Sequence, residues 1–238
     1  TPSSPGGTNN IDFHEFASTG NFNDFGDMAT TGFSRVAVAN QTRGVTLGNA
    51  VAPNALNNIE FLTIAHTGNA VDFGDCTIGR QESGAAGNPT RAIVLGGSTP
   101  DASIDYVTIS TTGNAADFGD CSTLIWNTRG GNCGNAIRGL IAGGGASLPT
   151  NIIQYVTIST LGDTVDFGDR LVAKGQTAHM SSTIRGVFGG AGEKDTNVVD
   201  YVQIMTTGNA VDFGDLSANG SSGYGWAAGA TNGHGGLG

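Results

Sequence analysis

Apolar and polar positions along this chain follow one short pattern that occurs five times. In residues 104–121, IDYVTISTTGNAADFGDC, the side chains alternate with the period of two of a β-strand. Val107 and Ile109 fall on one face, Tyr106 and Thr108 on the other. The other copies are IDFHEFASTGNFNDFGDM (11–28), IEFLTIAHTGNAVDFGDC (59–76), IQYVTISTLGDTVDFGDR (153–170) and VDYVQIMTTGNAVDFGDL (199–216). Their starts lie 48, 45, 49 and 46 residues apart, a spacing that marks a solenoid or a propeller.

Ahead of the copies stand short apolar runs that end in glycines: IVLGG (93–97), LIAGG (140–144) and VFGG (187–190). Such runs predict strands buried on both faces. Thr-Gly-Asn between two strand patterns supplies the positive-φ residues of a tight hairpin turn. No capped window with a period of 3.6 predicts a helix. A Gly- and Asn-rich segment such as GGNCGNA (130–136) completes each repeat, giving four short antiparallel strands. Five such units predict an all-β fold, a five-bladed β-propeller formed as one domain over residues 1–238. The internal blades span about 29–76, 77–121, 122–170 and 171–216. The fifth is expected to be composite. Gly225-Trp226-Ala227-Ala228-Gly229 stands where Gly139-Leu140-Ile141-Ala142-Gly143 stands, so residues 217–238 supply inner strands and residues 1–28 outer ones. Pairing of the N- and C-terminal segments would close the ring and remove open sheet edges.

Composition adds exclusions. The 40 glycines fall at fixed offsets, as in turn-rich β structure. A net charge of −10 with ten Lys and Arg argues against nucleic acid or an anionic membrane as the main partner. No apolar run approaches the ~18 residues of a spanning helix, so no membrane insertion is expected. The chain lacks an initiator Met and a signal-peptide pattern, and is expected to be processed or part of something larger. Cys76 and Cys121 hold one repeat position and Cys133 another, so all three are expected as reduced apolar fillers.

The DFGD motif contains ten of the twenty carboxylates. Two acids flank one Phe and Gly, no third acidic position recurs nearby, and a calcium site needs six to eight oxygens. Phe25, Phe73, Phe118, Phe167 and Phe213 are therefore expected to pack between blades, with the following Gly permitting a bulge. Arg43, Arg91, Arg138 and Arg185 recur at one position, with Tyr224 in the fifth, and predict a ring of Arg–Asp pairs tying strands or blades. An anion-binding ring is the functional alternative. His14, His66, His179 and His234 share no repeat position, so no zinc site is expected. No nucleophile elbow or catalytic triad spacing occurs. No catalytic residue, metal or cofactor is assigned.

Variation collects in segments expected on one face: 48–58, 98–103, 122–130, 145–151 and 191–197. Variable loops on a rigid scaffold are where binding surfaces are built. Trp126, Arg129, Asp101 and Lys194 are the candidate ligand-binding residues there; Trp126 suits a core role or, exposed on a propeller face, a stacking platform for a sugar ring.

The order of an apolar Gly-Gly strand, an aromatic-bearing strand, a turn and a Phe-bearing strand resembles kelch and galactose-oxidase-type propellers. Phe of DFGD stands where kelch repeats usually carry Trp. TRG, then an apolar-Gly-Gly strand, then YVTISTTGNA and DFGD also resembles repeats of virion-associated proteins of marine bacteriophages, over nearly the whole chain. The resemblance implies a non-enzymatic virion or tail-appendage module, located on the virion or outside the cell. Its implied partners are other virion or fibre proteins and a host-surface ligand such as glycan. A secreted bacterial adhesin, lectin or fibre subunit is the alternative. A glycan-active enzyme would need two carboxylates ~5–9.5 Å apart across a pocket.

Overall fold

The computed structural model describes residues 7–15, 17–51, 53–97, 101–124, 133–144, 150–175, 177–190, 197–217 and 229. These form antiparallel strands and loops, with no helix. β1 (Thr8–Phe13) and β2 (Asn23–Gly32) make a two-stranded ribbon. β3 (Val36–Ala39), β4 (Arg43–Val51), β5 (Asn54–Thr63) and β6 (Val71–Asp75) form the first four-stranded blade. β7 (Gly84–Gly87), β8 (Arg91–Leu95), β9 (Ser103–Thr108) and β10 (Ala116–Asp120) form the second. β11 (Arg138–Ala142), β12 (Ile152–Thr157) and β13 (Val165–Asp169) form the third, with Gly134 bridged to Gly139 on its inner side. β14 (Ala178–Ser181), β15 (Arg185–Gly189), β16 (Val198–Gln203) and β17 (Val211–Asp215) form the fourth.

The arrangement is that of a β-propeller with four blades. The expected count of five closed blades is not what the described residues contain. The ribbon β1–β2 is the part expected to form the outer strands of a fifth, whose expected inner strands fall in 217–238, outside the described residues except for Ser217 and Gly229.

The core lies between blades. Phe73 and Cys76 pack with Val107 and Ile109 of the following blade, Phe118 with Val156 and Ile158, and Phe167 with Val202 and Ile204. The alternation explains this: residues 105, 107 and 109 face the preceding blade, and residues 104 and 106 the following one. Between Asp117 and Gly119 the strand register shifts by one residue, and the same bulge recurs at the other DFGD strands. It re-aims Phe118 into the junction. Each such Phe meets an aromatic ring of its own blade edge-on, as in Tyr106–Phe118 at 5.9 Å.

The Thr-Gly-Asn segment differs from the expected tight hairpin. The turn closes earlier, where the Thr111 amide donates to the Thr108 carbonyl at 3.1 Å. Gly113-Asn114-Ala115 then runs along the outer strand of the preceding blade. The amides of Gly113 and Ala115 donate to the carbonyls of Phe73 and Asp75, each at 2.8 Å, and the Asp75 amide donates to Asn114 Oδ1 at 3.1 Å. The same three-bond clasp joins Phe25–Asp27 to Gly68–Ala70, Phe118–Asp120 to Gly162–Thr164, and Phe167–Asp169 to Gly208–Ala210. Two glycines meet in each clasp. Gly119 has φ +146°, and a Cβ there would sit 2.5 Å from the Gly162 carbonyl, so no other residue fits.

Phe118→Ala is expected to lower stability by about 3–5 kcal/mol, as truncation of a buried Phe does. Phe213, 56% exposed against 3% for Phe118, should cost the isolated chain less than about 1 kcal/mol. Urea unfolding of both variants checks the contrast. Equal losses would show that the two rings share one environment.

Candidate functional site

Of the candidate ligand-binding residues, Trp126, Arg129 and Lys194 lie outside the described residues. Asp101 is described, and it is occupied locally. Its Oδ1 accepts the Ser103 amide at 2.8 Å and also the Ser103 hydroxyl. Those bonds hold its carboxyl below the usual range. Within 48–58 the chain continues the β4–β5 hairpin, pairing Asn49, Ala50 and Val51 with Leu56, Ala55 and Asn54. Segments 98–100, 125–130, 145–149 and 191–196 fall outside the described residues.

The recurring arginines do not make the expected Arg–Asp ring. Each guanidinium lies over an aromatic ring on the third strand of its own blade: Arg43 over Phe61 at 4.6 Å, Arg91 over Tyr106 at 4.8 Å, Arg138 over Tyr155 at 4.4 Å and Arg185 over Tyr201 at 4.8 Å. Arg43, Arg91 and Arg138 also donate to the carbonyls of Ile109, Ile158 and Ile204 in the following blade, at 2.9–3.1 Å. The guanidinium groups of Arg43, Arg91 and Arg138 thus tie the third strand of their own blade to the blade that follows.

A second polar position recurs that the motif survey passed over. Glu60, Asp105, Gln154 and Asp200 are each the second residue of the repeated segment, on the third strand of a blade, and all are buried. Each points into the preceding junction and accepts amides of the connection there. Asp105 accepts the Thr77 amide at 2.9 Å and the Thr77 hydroxyl at 2.7 Å. Glu60 accepts the amides of Ala29 and Thr30 at 3.1 and 3.0 Å. Asp200 accepts the Leu171 amide at 3.0 Å, and Gln154 Oε1 the Thr123 amide at 3.2 Å. The visible signal was an acid between two apolar strand residues in four of the five copies.

Arginines from unrelated positions answer these acids. Arg80 Nε lies 3.4 Å from Asp105, and its other nitrogens donate to the Gly96 carbonyl and the Ser103 hydroxyl. Arg170 Nη2 lies 3.0 Å from Asp200 Oδ1. Burial lowers the pKa of Arg35, and the charge of nearby Glu60 raises it. At the third-blade junction, where the acid is replaced by Gln154, hydroxyls of Ser122 and Thr164 surround the amide instead. Charge is matched junction by junction, as burial demands.

His179 in β14 is buried against Phe188, with Nε2 3.0 Å from the Thr177 hydroxyl. Burial and then the nearby Arg170 charge push its pKa down to about 3. Burial also pushes the thiols of Cys76, Cys121 and Cys133 up to about 12, which keeps them protonated and unreactive at neutral pH. Among the described residues no three His, Cys, Asp or Glu side chains gather as a metal site would require. A hollow of about 250 Å³ lies on the fourth blade, lined by Tyr201, Gln203, Thr206, Asn209 and Val211 among others. It is smaller than the ~300–1,000 Å³ of ordinary small-molecule pockets.

Compared with protein-family models and with curated proteins, the chain matches none.

Gln154→Asp is expected to destabilise by about 3–5 kcal/mol by burying an unanswered charge. Adding Cys121→Arg, at the position where Arg170 stands one blade later, should restore part of the loss in urea unfolding. No recovery in the double variant would refute the charge matching. His179 gives a pH signature. The unfolded chain takes up this proton below about pH 6.5, while the folded chain stays neutral down to about 3. Its stabilising effect is therefore complete above about pH 6.5 and declines with acidification, by about 2 kcal/mol at pH 5. His179→Gln should flatten that part of the stability profile, measured by thermal melts across pH.

Proposed function

We propose that this chain is a non-enzymatic propeller that serves a virion or tail appendage as a structural module and binds a host-surface ligand such as glycan. One observation carries the reading: the two ends of the blades are used differently. At one end the Thr-Gly-Asn segments are consumed by near-identical clasps, with backbone donors and Asn side chains committed to the neighbouring blade. Sequence variation collects in the segments expected at the opposite end, which contain Asp101 and, outside the described residues, Trp126, Arg129 and Lys194. The likeness of the repeats to virion proteins supports the setting, and Arg, Asp and Glu groups taken up by the scaffold support a binding role over catalysis.

The fold in this reading has five blades. The fifth joins the N- and C-terminal segments, with β1 and β2 outside and residues 217–238 inside. Gly229 supports the assignment, since a Cβ there would fall on the His179 carbonyl of β14.

A glycan array probed with the intact chain tests the function. Trp126→Ala should weaken binding to any hit by about tenfold or more, with an unchanged melting temperature. Binding that survives this change would move the site away from the variable loops.

A further inference from the structure

We propose that the end of the blades bearing the Thr-Gly-Asn turns is the interface for a second copy of this chain, seated face to face, with Ile137, Leu161, Ile184 and Met205 at the contact. Two turns of each blade meet at this end, and hydrogen bonds join them into one surface. Within the blades the amides of Ile64, Ile109, Ile158 and Ile204 donate to the carbonyls of Thr42, Thr90, Ile137 and Ile184 at 2.8–2.9 Å. From blade to blade the side-chain amides of Asn40, Asn88 and Asn135 donate to the carbonyls of Pro89, Ala136 and Thr183 at 3.0–3.2 Å.

These turns hold no formal charge. Residues 40–42, 64–68, 88–90, 109–113, 135–137, 158–162, 182–184 and 204–208 contain no Asp, Glu, Lys or Arg, in a chain with 20 acidic and 10 basic residues. The asparagines there are already satisfied. Oδ1 of Asn40, Asn88 and Asn135 each accepts two amides of its own turn, and Asn69, Asn114 and Asn209 are held in the clasps. Covering this end therefore strands few polar groups, which keeps the desolvation cost low. Over the third and fourth blades it is also apolar. Ile137 and Ile184 stand where the first two blades carry Thr42 and Thr90, Leu161 where the others carry Thr67, Thr112 and Thr207, and Met205 where they carry Ala65, Ser110 and Ser159. The four side chains are 49–62% exposed. Ile137 and Leu161 have described blades on both sides. An exposed apolar patch rimmed by polar residues marks an interaction site.

Charge selects the occupant. A chain of net charge −10 attracts basic partners to its carboxylates, which lie on the outer strands and elsewhere, and not to an end without charge. Two copies repel wherever carboxylates oppose, and this end lets them meet with none between them. A second copy brings the same satisfied turns and the same four apolar side chains. Apolar meets apolar in a two-fold contact that closes at the dimer, as suits a patch lying over two blades of the ring. The pairing is independent of ligand binding. The variable segments, expected at the other end, would face outward on both copies.

Sedimentation velocity of the full chain across concentration is the test. The face variant is Ile137→Glu with Leu161→Glu, and Ile184→Glu is a second, separate one. Val165→Glu, at an exposed apolar residue of the outer strand β13, is the control. The expected result is a monomer–dimer equilibrium that added salt does not weaken, since no ion pair contributes. Both face variants should weaken it by about tenfold or more with unchanged melting temperature, while Val165→Glu leaves it intact. A chain that stays monomeric at every concentration would overturn the pairing and leave this end to a different partner. A dimer weakened by Val165→Glu and not by the face variants would overturn it as well, and would move the contact to the outer strands.

Discussion

The outer strands β2, β6, β10 and β13 are each completed by the blade that follows. The last carbonyls and one amide of each strand are taken by a Gly-Asn turn, and the turn is itself the end of the next blade's hairpin. A propeller blade has to dispose of an outer edge and also has to hold its orientation to its neighbour. One segment does both here. The three hydrogen bonds contribute only about 0.5–1.5 kcal/mol each. The larger stabilisation comes from Phe73, Phe118 and Phe167 buried with the Val and Ile of the following blade. The clasp decides where those side chains meet. The two backbones approach within the space of a missing Cβ, which requires glycine on the outer strand. On the turn side a Cβ would meet open space, and it is the positive φ of Gly68, Gly113, Gly162 and Gly208 that favours glycine.

The polar interior follows from the same design. A chain that crosses from one blade to the next leaves amides at residues such as Thr30, Thr77, Thr123 and Leu171 without sheet partners. A carboxylate on the next blade can accept several of them at once, at the cost of burying a charge. Arg80 and Arg170 then offset Asp105 and Asp200, and the amide of Gln154 removes the need for an arginine at the third blade. Most of these donors and acceptors are turned toward one another, while Arg35 Nε and Arg170 Nη1 are buried without a hydrogen-bond partner among the described residues.

The repeat, the alternation of IDYVTIS, the buried apolar-Gly-Gly strands and the packing of Phe118 between blades were all legible in the sequence. Each depends on local periodicity and on the burial that large apolar side chains require. Other features depended on which residues become neighbours across a junction. Thr-Gly-Asn satisfies a hairpin turn and a clasp equally well by composition, and only the position of Phe73 and Asp75 opposite it makes it a clasp. The arginine of TRG is drawn to a ring on its own blade and not to an aspartate, because Tyr106 lies one strand away from Arg91. Arg35, Arg80 and Arg170 share no repeat position, yet each stands near the buried acid of the next blade. Loop paths differ from blade to blade, so that convergence exists in space and not in periodicity.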